Sequence, residues 1–302
     1  MNKFKAVITL IRLPNLVFIL LTQLLTYYAI ILPAVLSAKH VATLSTFYVA
    51  LLCLSTVLIA AAGYIINDYF DIGIDAINKP EKVTIEKVFK RRTIIIWHIT
   101  LNVVAIMIAA FIAFYYVQLR LLTIQLICIL LLIFYSTTFK RKLIVGNFTI
   151  AILTSLTLVT MAIYEPQFEL FNIHFQHTKL LWVYIFFSFI ITFIREIVKD
   201  IEDVKGDTAQ HCETIPLVWG IATAKHFTYL FIAFLMLLLI ITGWYFMSFN
   251  LVLVFFLGLT VFIPIVYVSV KISKALTSHE FHAISTYIKI ITLFGILSML
   301  LI

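Results

Sequence analysis

Residues 67–75 read N-D-Y-F-D-I-G-I-D and follow a long apolar run. Asp68, Asp71 and Asp75 stand at positions i, i+3 and i+7, a spacing that on a helix brings three carboxylates to one face. Charged side chains in or beside a membrane segment are costly, and they mark a functional site by default. The stretch therefore predicts both the end of an apolar helix and the start of a polar site.

The same spacing recurs at Asp200, Asp203 and Asp207, within K-D-I-E-D-V-K-G-D at residues 199–207. Each of these aspartates lies 132 residues after its counterpart (200 − 68, 203 − 71, 207 − 75). A single D-x2-D pattern more often caps a helix or pairs with nearby lysines, and this structural role is the alternative for each motif. Two identical triplets in one hydrophobic chain favour a shared site instead.

The composition predicts an integral membrane protein. The chain has 302 residues, of which 63% are hydrophobic and 12% charged, whereas soluble domains carry about 25% charged residues. We expect one domain over residues 1–302, because no polar stretch is long enough to bury a core of its own. The first apolar run is too long for a signal-peptide core, so it is interpreted as a permanent span. The three cysteines lack metal-ligand spacing and predict neither disulfides nor a zinc site.

Runs of about 20 apolar residues predict transmembrane helices, and continuous apolarity distinguishes them from barrel strands. The predicted spans are 14–36, 43–68, 93–117, 121–138, 147–164, 180–199, 227–247, 250–270 and 283–302. The predicted fold is an all-α polytopic bundle of nine transmembrane helices around a central cavity. The longest inner loops, 69–92 and 200–226, each follow an aspartate motif, and we expect them to form cytoplasmic caps over the site.

The distribution of Lys and Arg predicts the orientation. With the N-terminus inside, the inner segments hold 18 of the 22 basic residues, and Lys289 falls within the last span. An excess of Lys and Arg marks cytoplasmic loops, so we expect a protein of the cell (inner) membrane with both aspartate motifs on the cytoplasmic side. The net charge of +8 follows from this loop bias, which makes a nucleic-acid partner a poor interpretation.

Six neighbouring carboxylates repel one another unless cations neutralise them. Mg²⁺ prefers oxygen ligands and binds through a few carboxylates together with substrate phosphates. The predicted metal ligands are Asn67, Asp68, Asp71, Asp75, Asp200, Asp203 and Asp207, and the six aspartates are also the predicted catalytic residues. Phosphate chemistry at the mouth of an apolar interior predicts a polyprenyl diphosphate donor, with Mg²⁺ as cofactor.

Polar and basic residues of the same inner layer are candidates for binding the diphosphate, because Arg offers phosphate a bidentate fork and Lys a point charge. The predicted substrate-binding residues are Asn15, Asn67, Lys140, Arg141, Arg195 and Lys199. Ordinary membrane anchoring is the alternative for Lys140 and Arg141, and a buried ion pair is the alternative for Arg195 with Glu196. Asn147 is predicted to cap a helix.

These motifs resemble the UbiA superfamily of intramembrane prenyltransferases. The first family motif, N-D-x2-D-x3-D followed by N-x-P, matches residues 67–75 together with Asn78 and Pro80, and the second matches residues 199–207. Further likeness lies in R-L-P-N (12–15), Y-S-x3-K-R (135–141), G-N (146–147) and T-I-P-L-V-W-G (214–220). The chain departs from many members at residues 81–84, which read E-K-V-T where those members carry Arg-Pro.

The resemblance implies nine transmembrane helices and transfer of a prenyl group from a diphosphate to a lipid or aromatic acceptor. The second motif resembles the geranylgeranylglycerol-phosphate geranylgeranyltransferase branch, which favours a phosphate-bearing acceptor near Lys82, Lys140 and Lys142. An aromatic quinone precursor or haem is the alternative acceptor. A cation-coupled transporter is a non-enzymatic alternative, although transport sites usually lie near the bilayer midplane. A CDP-alcohol phosphotransferase is disfavoured, because Ile72 stands where that motif requires glycine.

Overall fold

The computed structural model describes residues 3–78, 84–116, 118–172 and 175–302. Within these residues, nine helices are long and apolar enough to cross a membrane, which confirms the predicted number of spans. They are Leu13–Ser37 (span 1), Thr46–Phe70 (span 2), Arg91–Tyr115 (span 3), Leu119–Thr137 (span 4), Val145–Tyr164 (span 5), Gln176–Glu202 (span 6), Ile221–Phe246 (span 7), Leu251–Lys274 (span 8) and Ser278–Leu301 (span 9). Pro80 and Lys82 lie outside the described residues.

Short helices complete the described chain. They are Lys3–Leu10 before span 1, Ile72–Asn78 after span 2, the 3₁₀ turn Phe139–Arg141 after span 4, and Val204–Ala209 and Ile215–Val218 after span 6. Span 4 opens with the 3₁₀ turn Leu119–Leu121, and span 9 closes with the 3₁₀ turn Ser298–Leu301. In the described residues the only β-structure is an isolated bridge between Ile85 and Phe89, so the all-helical prediction is confirmed.

Two spans contain a wide π-helical turn next to a proline. In span 1 the turn Thr26–Ile31 separates Leu13–Leu25 from Leu32–Ser37, and in span 8 the turn Gly258–Phe262 separates Leu251–Leu257 from Ile263–Lys274. Pro33 and Pro264 each stand in the first turn of the segment that follows. Because proline lacks an amide donor and its ring crowds the carbonyl four residues earlier, the wider turn accommodates it without ending the span.

The helix that carries each aspartate motif is interrupted at the middle aspartate. Span 2 ends at Phe70, Asp71 lies outside helical geometry, and the next helix starts at Ile72. Span 6 ends and Val204–Ala209 begins around Asp203 in the same way. The prediction that three carboxylates share one face of a single helix is therefore wrong, because two successive helices carry each triplet.

Six of the spans surround a central cavity of about 570 Å³. Spans 1, 2, 4, 5, 6 and 9 supply its walls, whereas spans 3, 7 and 8 contribute no lining residue. Those three spans are also the least buried, so they form the outer layer of the bundle that faces lipid. The predicted bundle around a central cavity is confirmed.

The end of the bundle opposite the aspartates is fastened by Glu165, which directly follows span 5 and is fully buried. Its carboxylate accepts hydrogen bonds from the backbone amides of Thr43 and Leu44, each at 3.0 Å. The Tyr27 hydroxyl lies 3.3 Å from the same carboxylate and donates to the Leu44 carbonyl at 2.8 Å. One side chain thus joins span 1, span 5 and the segment that leads into span 2.

Candidate active site

The aspartate motifs meet at one end of the central cavity. Its lining includes all six predicted catalytic aspartates together with Asn15, Asn67, Lys140, Arg195 and Lys199. Arg141 is exposed and does not line the cavity, so the structure does not bring it together with the other predicted site residues. Two motifs that lie 132 residues apart in sequence therefore share one cavity, as predicted from their spacing.

Two cations pair with two of the three aspartates of the first motif. Arg12 donates to Asp68 at 2.8 Å and stacks over Tyr64, 5.1 Å from the ring centre. Asp71 is buried, accepts from the Asn67 amide at 2.6 Å and forms an ion pair with Lys140. The end of span 2 and the residue that follows it are thus tied to Arg12, just before span 1, and to the turn after span 4.

A close backbone approach places Lys140 beside Asp71. Gly146 in span 5 faces the backbone of the turn Phe139–Arg141, and a Cβ at this position would lie 2.9 Å from the Lys140 Cα. A contact this short leaves room for no residue other than glycine without a shift of the turn. Ile144, just before span 5, has a φ of 63°, a left-handed conformation that is strained for a β-branched residue.

The second motif has a different set of partners. Asp200 accepts from the Asn147 amide at 2.7 Å, which corrects the prediction that Asn147 caps a helix: it crosses from span 5 to span 6. Glu196, buried in span 6, accepts from Arg195 at 3.1 Å and from Lys199 at 3.0 Å. The buried ion pair that was the alternative for Arg195 and Glu196 is present, and it includes Lys199.

A single asparagine joins the two motifs. The Asn78 side-chain amide donates to the Asp203 carbonyl at 3.0 Å, and its oxygen accepts from the Gly206 backbone amide at 2.9 Å. A Cβ on Gly206 would collide with the Asn78 side chain, which explains the glycine before the last aspartate of the second motif. The loops after spans 2 and 6 thus contact each other at the aspartate end, where the caps were predicted.

The carboxylates that lack a close cation show the electrostatic cost of this arrangement. Burial, followed by the charges of Asp71 and Asp68, raises the pKa of Asp75 to about 6. Burial also raises the pKa of Asp207 to about 6, against the lowering effect of Lys140 and with smaller raising effects from the charges of Asp203 and Asp71. Negative charge therefore exceeds what the neighbouring cations neutralise, and this favours binding of a further cation.

These raised pKa values predict that mild acid stabilises the metal-free protein. A carboxyl group with a folded pKa of about 6 binds a proton at pH 5 that the unfolded chain, with its ordinary pKa of 3.8, does not hold. The melting temperature in EDTA should therefore rise as the pH falls from about 7 to about 5. The Asp75→Asn/Asp207→Asn variant should show a smaller rise, and an unchanged rise in that variant contradicts the assignment.

The donor set of this end suits a hard cation. Carboxylate and amide oxygens are the ligands that Mg²⁺ prefers, and Asn67 Oδ1 is buried with no hydrogen-bond partner among the described residues. Within the described chain, no three or more His, Cys, Asp or Glu side chains lie together as a group that could hold a metal ion. The close partners of Asp68 and Asp71 are instead Arg12 and Lys140. The oxygen atoms of these residues suit Mg²⁺. In this structure Arg12 and Lys140 occupy two of the carboxylates that would bind it.

The other end of the cavity is effectively apolar. Its lining includes Phe18, Ile19, Ile150, Leu158, Phe187, Ile296 and Met299, with several threonines between them. Thr22, Thr157 and Thr292 donate their hydroxyl protons to backbone carbonyls of their own helices at 2.6–2.9 Å. Because those hydroxyls are already satisfied, the threonines add little polarity, and the compartment suits a hydrocarbon chain.

Sequence reasoning missed several residues of the site. Arg12 and Asn78 were recognised only as parts of family-like motifs, and Lys289 was noted only as a basic residue in a span. Lys289 lines the cavity and donates to Asn15 at 2.5 Å. The available signal was its position, because an ionisable residue in the middle of a membrane helix marks a functional site by default.

Known proteins share both the sequence pattern and this fold. The sequence profile of the UbiA prenyltransferase family matches residues 13–284. A digeranylgeranylglyceryl phosphate synthase from Thermococcus sibiricus is 34% identical over 163 residues, which is 54% of this chain and 53% of that protein. The matched stretches span between 51% and 65% of the length of this and two further such synthases.

Solved structures show the same architecture over nearly the whole chain. A structure concerned with digeranylgeranylglyceryl phosphate synthase in membranes superimposes with a TM-score of 0.69 at 21% identity, covering 99% of this chain and 98% of that one. A homologue from Archaeoglobus fulgidus bound to DMAPP and Mg²⁺ superimposes with a TM-score of 0.59 at 15% identity, covering 95% and 98%. At these identities the likeness shows the fold.

Proposed function

Because the chain belongs to the UbiA prenyltransferase family, we propose that it transfers a polyprenyl group from a prenyl diphosphate to an acceptor in the central cavity, with Mg²⁺ as cofactor. The observation that carries this proposal is the polarity of the cavity, which has six aspartates at one end and apolar side chains at the other. The related Archaeoglobus fulgidus protein is bound to DMAPP and Mg²⁺, and this supports a metal-bound diphosphate.

In this proposal, the aspartate end binds the diphosphate of the donor. Asp68, Asp71 and Asp75 from the first motif would hold Mg²⁺ together with the aspartates of the second motif. When bound, Mg²⁺ neutralises phosphate charge and acts as a Lewis acid on the leaving group. Lys140 and Lys199 add positive charge beside it, because both ammonium groups line the same cavity and can exchange a carboxylate partner for a phosphate oxygen.

The apolar end binds the prenyl tail and excludes water from the reacting carbon. As the bond between C1 and the diphosphate breaks, a bond forms from C1 to the acceptor hydroxyl, whose proton is released. Positive charge develops on the allylic group, and aromatic faces stabilise such charge. Tyr64 and Tyr135 line the cavity near the aspartates and are the aromatic residues placed for this role.

We propose a glycerol-phosphate lipid as the acceptor. Relatives in sequence are digeranylgeranylglyceryl phosphate synthases, and a phosphate-bearing acceptor agrees with the cations that line the cavity beside the aspartates. Besides Lys140, four cations line it, and these are Arg12, Arg195, Lys199 and Lys289. A neutral aromatic acceptor would leave Lys289, which pairs with no carboxylate among the described residues, without an anionic partner.

Product analysis tests the proposal directly. Purified protein with labelled geranylgeranyl diphosphate and Mg²⁺ should prenylate geranylgeranylglyceryl phosphate in preference to an aromatic quinone precursor or haem, as measured by mass spectrometry. EDTA should reduce the product to background, and added Mg²⁺ should restore it. Uptake of label into vesicles without any prenylated product would instead support a transporter.

We infer that the aspartate end faces the cytoplasm, because it carries most of the basic loop residues. In intact cells, a membrane-impermeant thiol reagent should label a Lys39→Cys variant and spare a Lys90→Cys variant. Both positions are exposed and lie in segments predicted on opposite sides of the membrane. Labelling of Lys90→Cys alone would reverse the orientation.

A further inference from the structure

Lys289 carries a charge that no carboxylate balances among the described residues. It lies eleven residues after Ser278, the first residue of span 9, which is a rise of roughly 16 Å along the helix. Its ammonium group donates to Asn15 Oδ1 at 2.5 Å and lies 5.2 Å from the centre of the Phe18 ring. A neutral amide and an aromatic face orient this cation, but they do not neutralise it.

The neighbouring wall of the cavity adds further positive charge. In span 6, Arg195 and Lys199 share the single carboxylate of Glu196, at 3.1 Å and 3.0 Å. Lys289 is a third cation in this part of the cavity, and among the described residues Glu196 is the carboxylate that lies within ion-pair distance of any of the three. Arg195 Nε is also buried without a hydrogen-bond partner among the described residues. A buried donor left unpaired in this way costs free energy that an anionic acceptor atom would recover.

Like charges in a desolvated cavity repel one another, and a bound anion removes that repulsion. The proposed reaction supplies two anionic groups, the diphosphate of the donor and the phosphate of the acceptor. The six aspartates account for a metal-bound diphosphate, and none of them lies on span 9 or span 1. The excess positive charge between span 6, span 9 and Asn15 is therefore available for the second anion.

We propose that Lys289, Asn15 and Arg195 form an anion subsite that binds the phosphate group of the glycerol-phosphate lipid acceptor. Lys289 supplies the charge, Asn15 fixes its ammonium group, and Arg195 contributes its unpaired N–H. This inference rests on the proposed function and adds to it a specific place for the acceptor phosphate. It also assigns a specificity-determining role to a residue of span 9.

The test compares acceptors with and without the phosphate group, geranylgeranylglyceryl phosphate and geranylgeranylglycerol. In Lys289→Met, kcat/KM for the phosphate acceptor should fall roughly 10- to 100-fold, the usual cost of one charged hydrogen bond. The KM for the diphosphate donor and kcat/KM for the uncharged acceptor should stay within about twofold of wild type. Lys289→Arg, which keeps the charge, should retain most of the preference for phosphate.

Lys271→Met in span 8 is the matched control, because Lys271 is exposed and lies outside the cavity lining. Equal losses with both acceptors, or a rise confined to the KM of the donor, would overturn the subsite. Thermal protection by the phosphate acceptor alone separates this inference from the proposed function, since it requires no turnover. If the phosphate acceptor raises the melting temperature of the wild type but no product forms, prenyl transfer is refuted and the subsite stands. If the phosphate acceptor does not raise the melting temperature of the wild type, the subsite is refuted.

Discussion

The Asp71→Ala variant is expected to lose prenyl transfer by on the order of 10³-fold, comparable to removal of one preorganised charge-stabilising group from an active site. Asp71 is buried, accepts from Asn67 and pairs with Lys140, so its loss removes one predicted metal ligand and releases two neighbours. Asp203→Ala should behave in the same way at the other motif. Initial rates across a Mg²⁺ titration measure both variants.

Glu86→Gln is the matched control for these substitutions. Glu86 is an exposed carboxylate that pairs with Arg91 at 2.5 Å and does not line the cavity. An exposed ion pair contributes little, so this variant should keep its rate within about twofold of wild type. All three variants should insert and purify normally. Full Mg²⁺-dependent activity in Asp71→Ala or Asp203→Ala would rule out a metal-binding role for the two motifs.

The Glu165→Ala variant is expected to lose stability rather than chemistry. The substitution leaves the buried amide of Leu44 and the partly buried amide of Thr43 without their acceptor. An unpaired buried N–H costs roughly 1–3 kcal/mol, so the free energy of unfolding should fall by at least about 1–3 kcal/mol. Thermal unfolding of the purified protein in detergent measures the loss as a lower melting temperature.

Glu169→Ala supplies the comparison, because Glu169 lies in the same segment but is exposed. Its substitution should change stability by about 0.5 kcal/mol or less. Glu165→Gln, which keeps one acceptor oxygen, should fall between the two. If Glu165→Ala and Glu169→Ala melt at the same temperature, the hydrogen bonds of Glu165 do not fasten this end of the bundle.

The sequence predicted the spans and the shared site because both depend on strong local signals. Apolar runs of membrane length mark helices whatever their neighbours, and identical aspartate triplets need no structure to be noticed. The interruption at Asp71 and Asp203 was not predictable in this way. Both residues still donate a backbone hydrogen bond to the carbonyl four residues earlier, at 2.9 Å in each case, and only their backbone dihedrals leave the helical range.

Contacts between side chains of different helices were harder to predict than the positions of the helices along the chain. Asn147 has the sequence context of a helix cap, and its pairing with Asp200 depends on how spans 5 and 6 pack. Lys140 was predicted as a phosphate ligand, and its contact with Asp71 depends on the close approach at Gly146. Arg141, its neighbour in sequence, does not line the cavity. Adjacent basic residues look alike in sequence, and only the packed turn distinguishes them.

The two hydrogen bonds of Asn78 also bear on how this chain can be recombined with related ones. Its side-chain amide forms two hydrogen bonds to the opposite loop, one to a carbonyl and one to an N–H. Both are backbone groups, so the match depends on loop shape and on glycine at position 206 rather than on side-chain identity. A chimera that joins the first half of this chain to the second half of a relative should therefore keep the contact between these two loops wherever that loop and its glycine are retained.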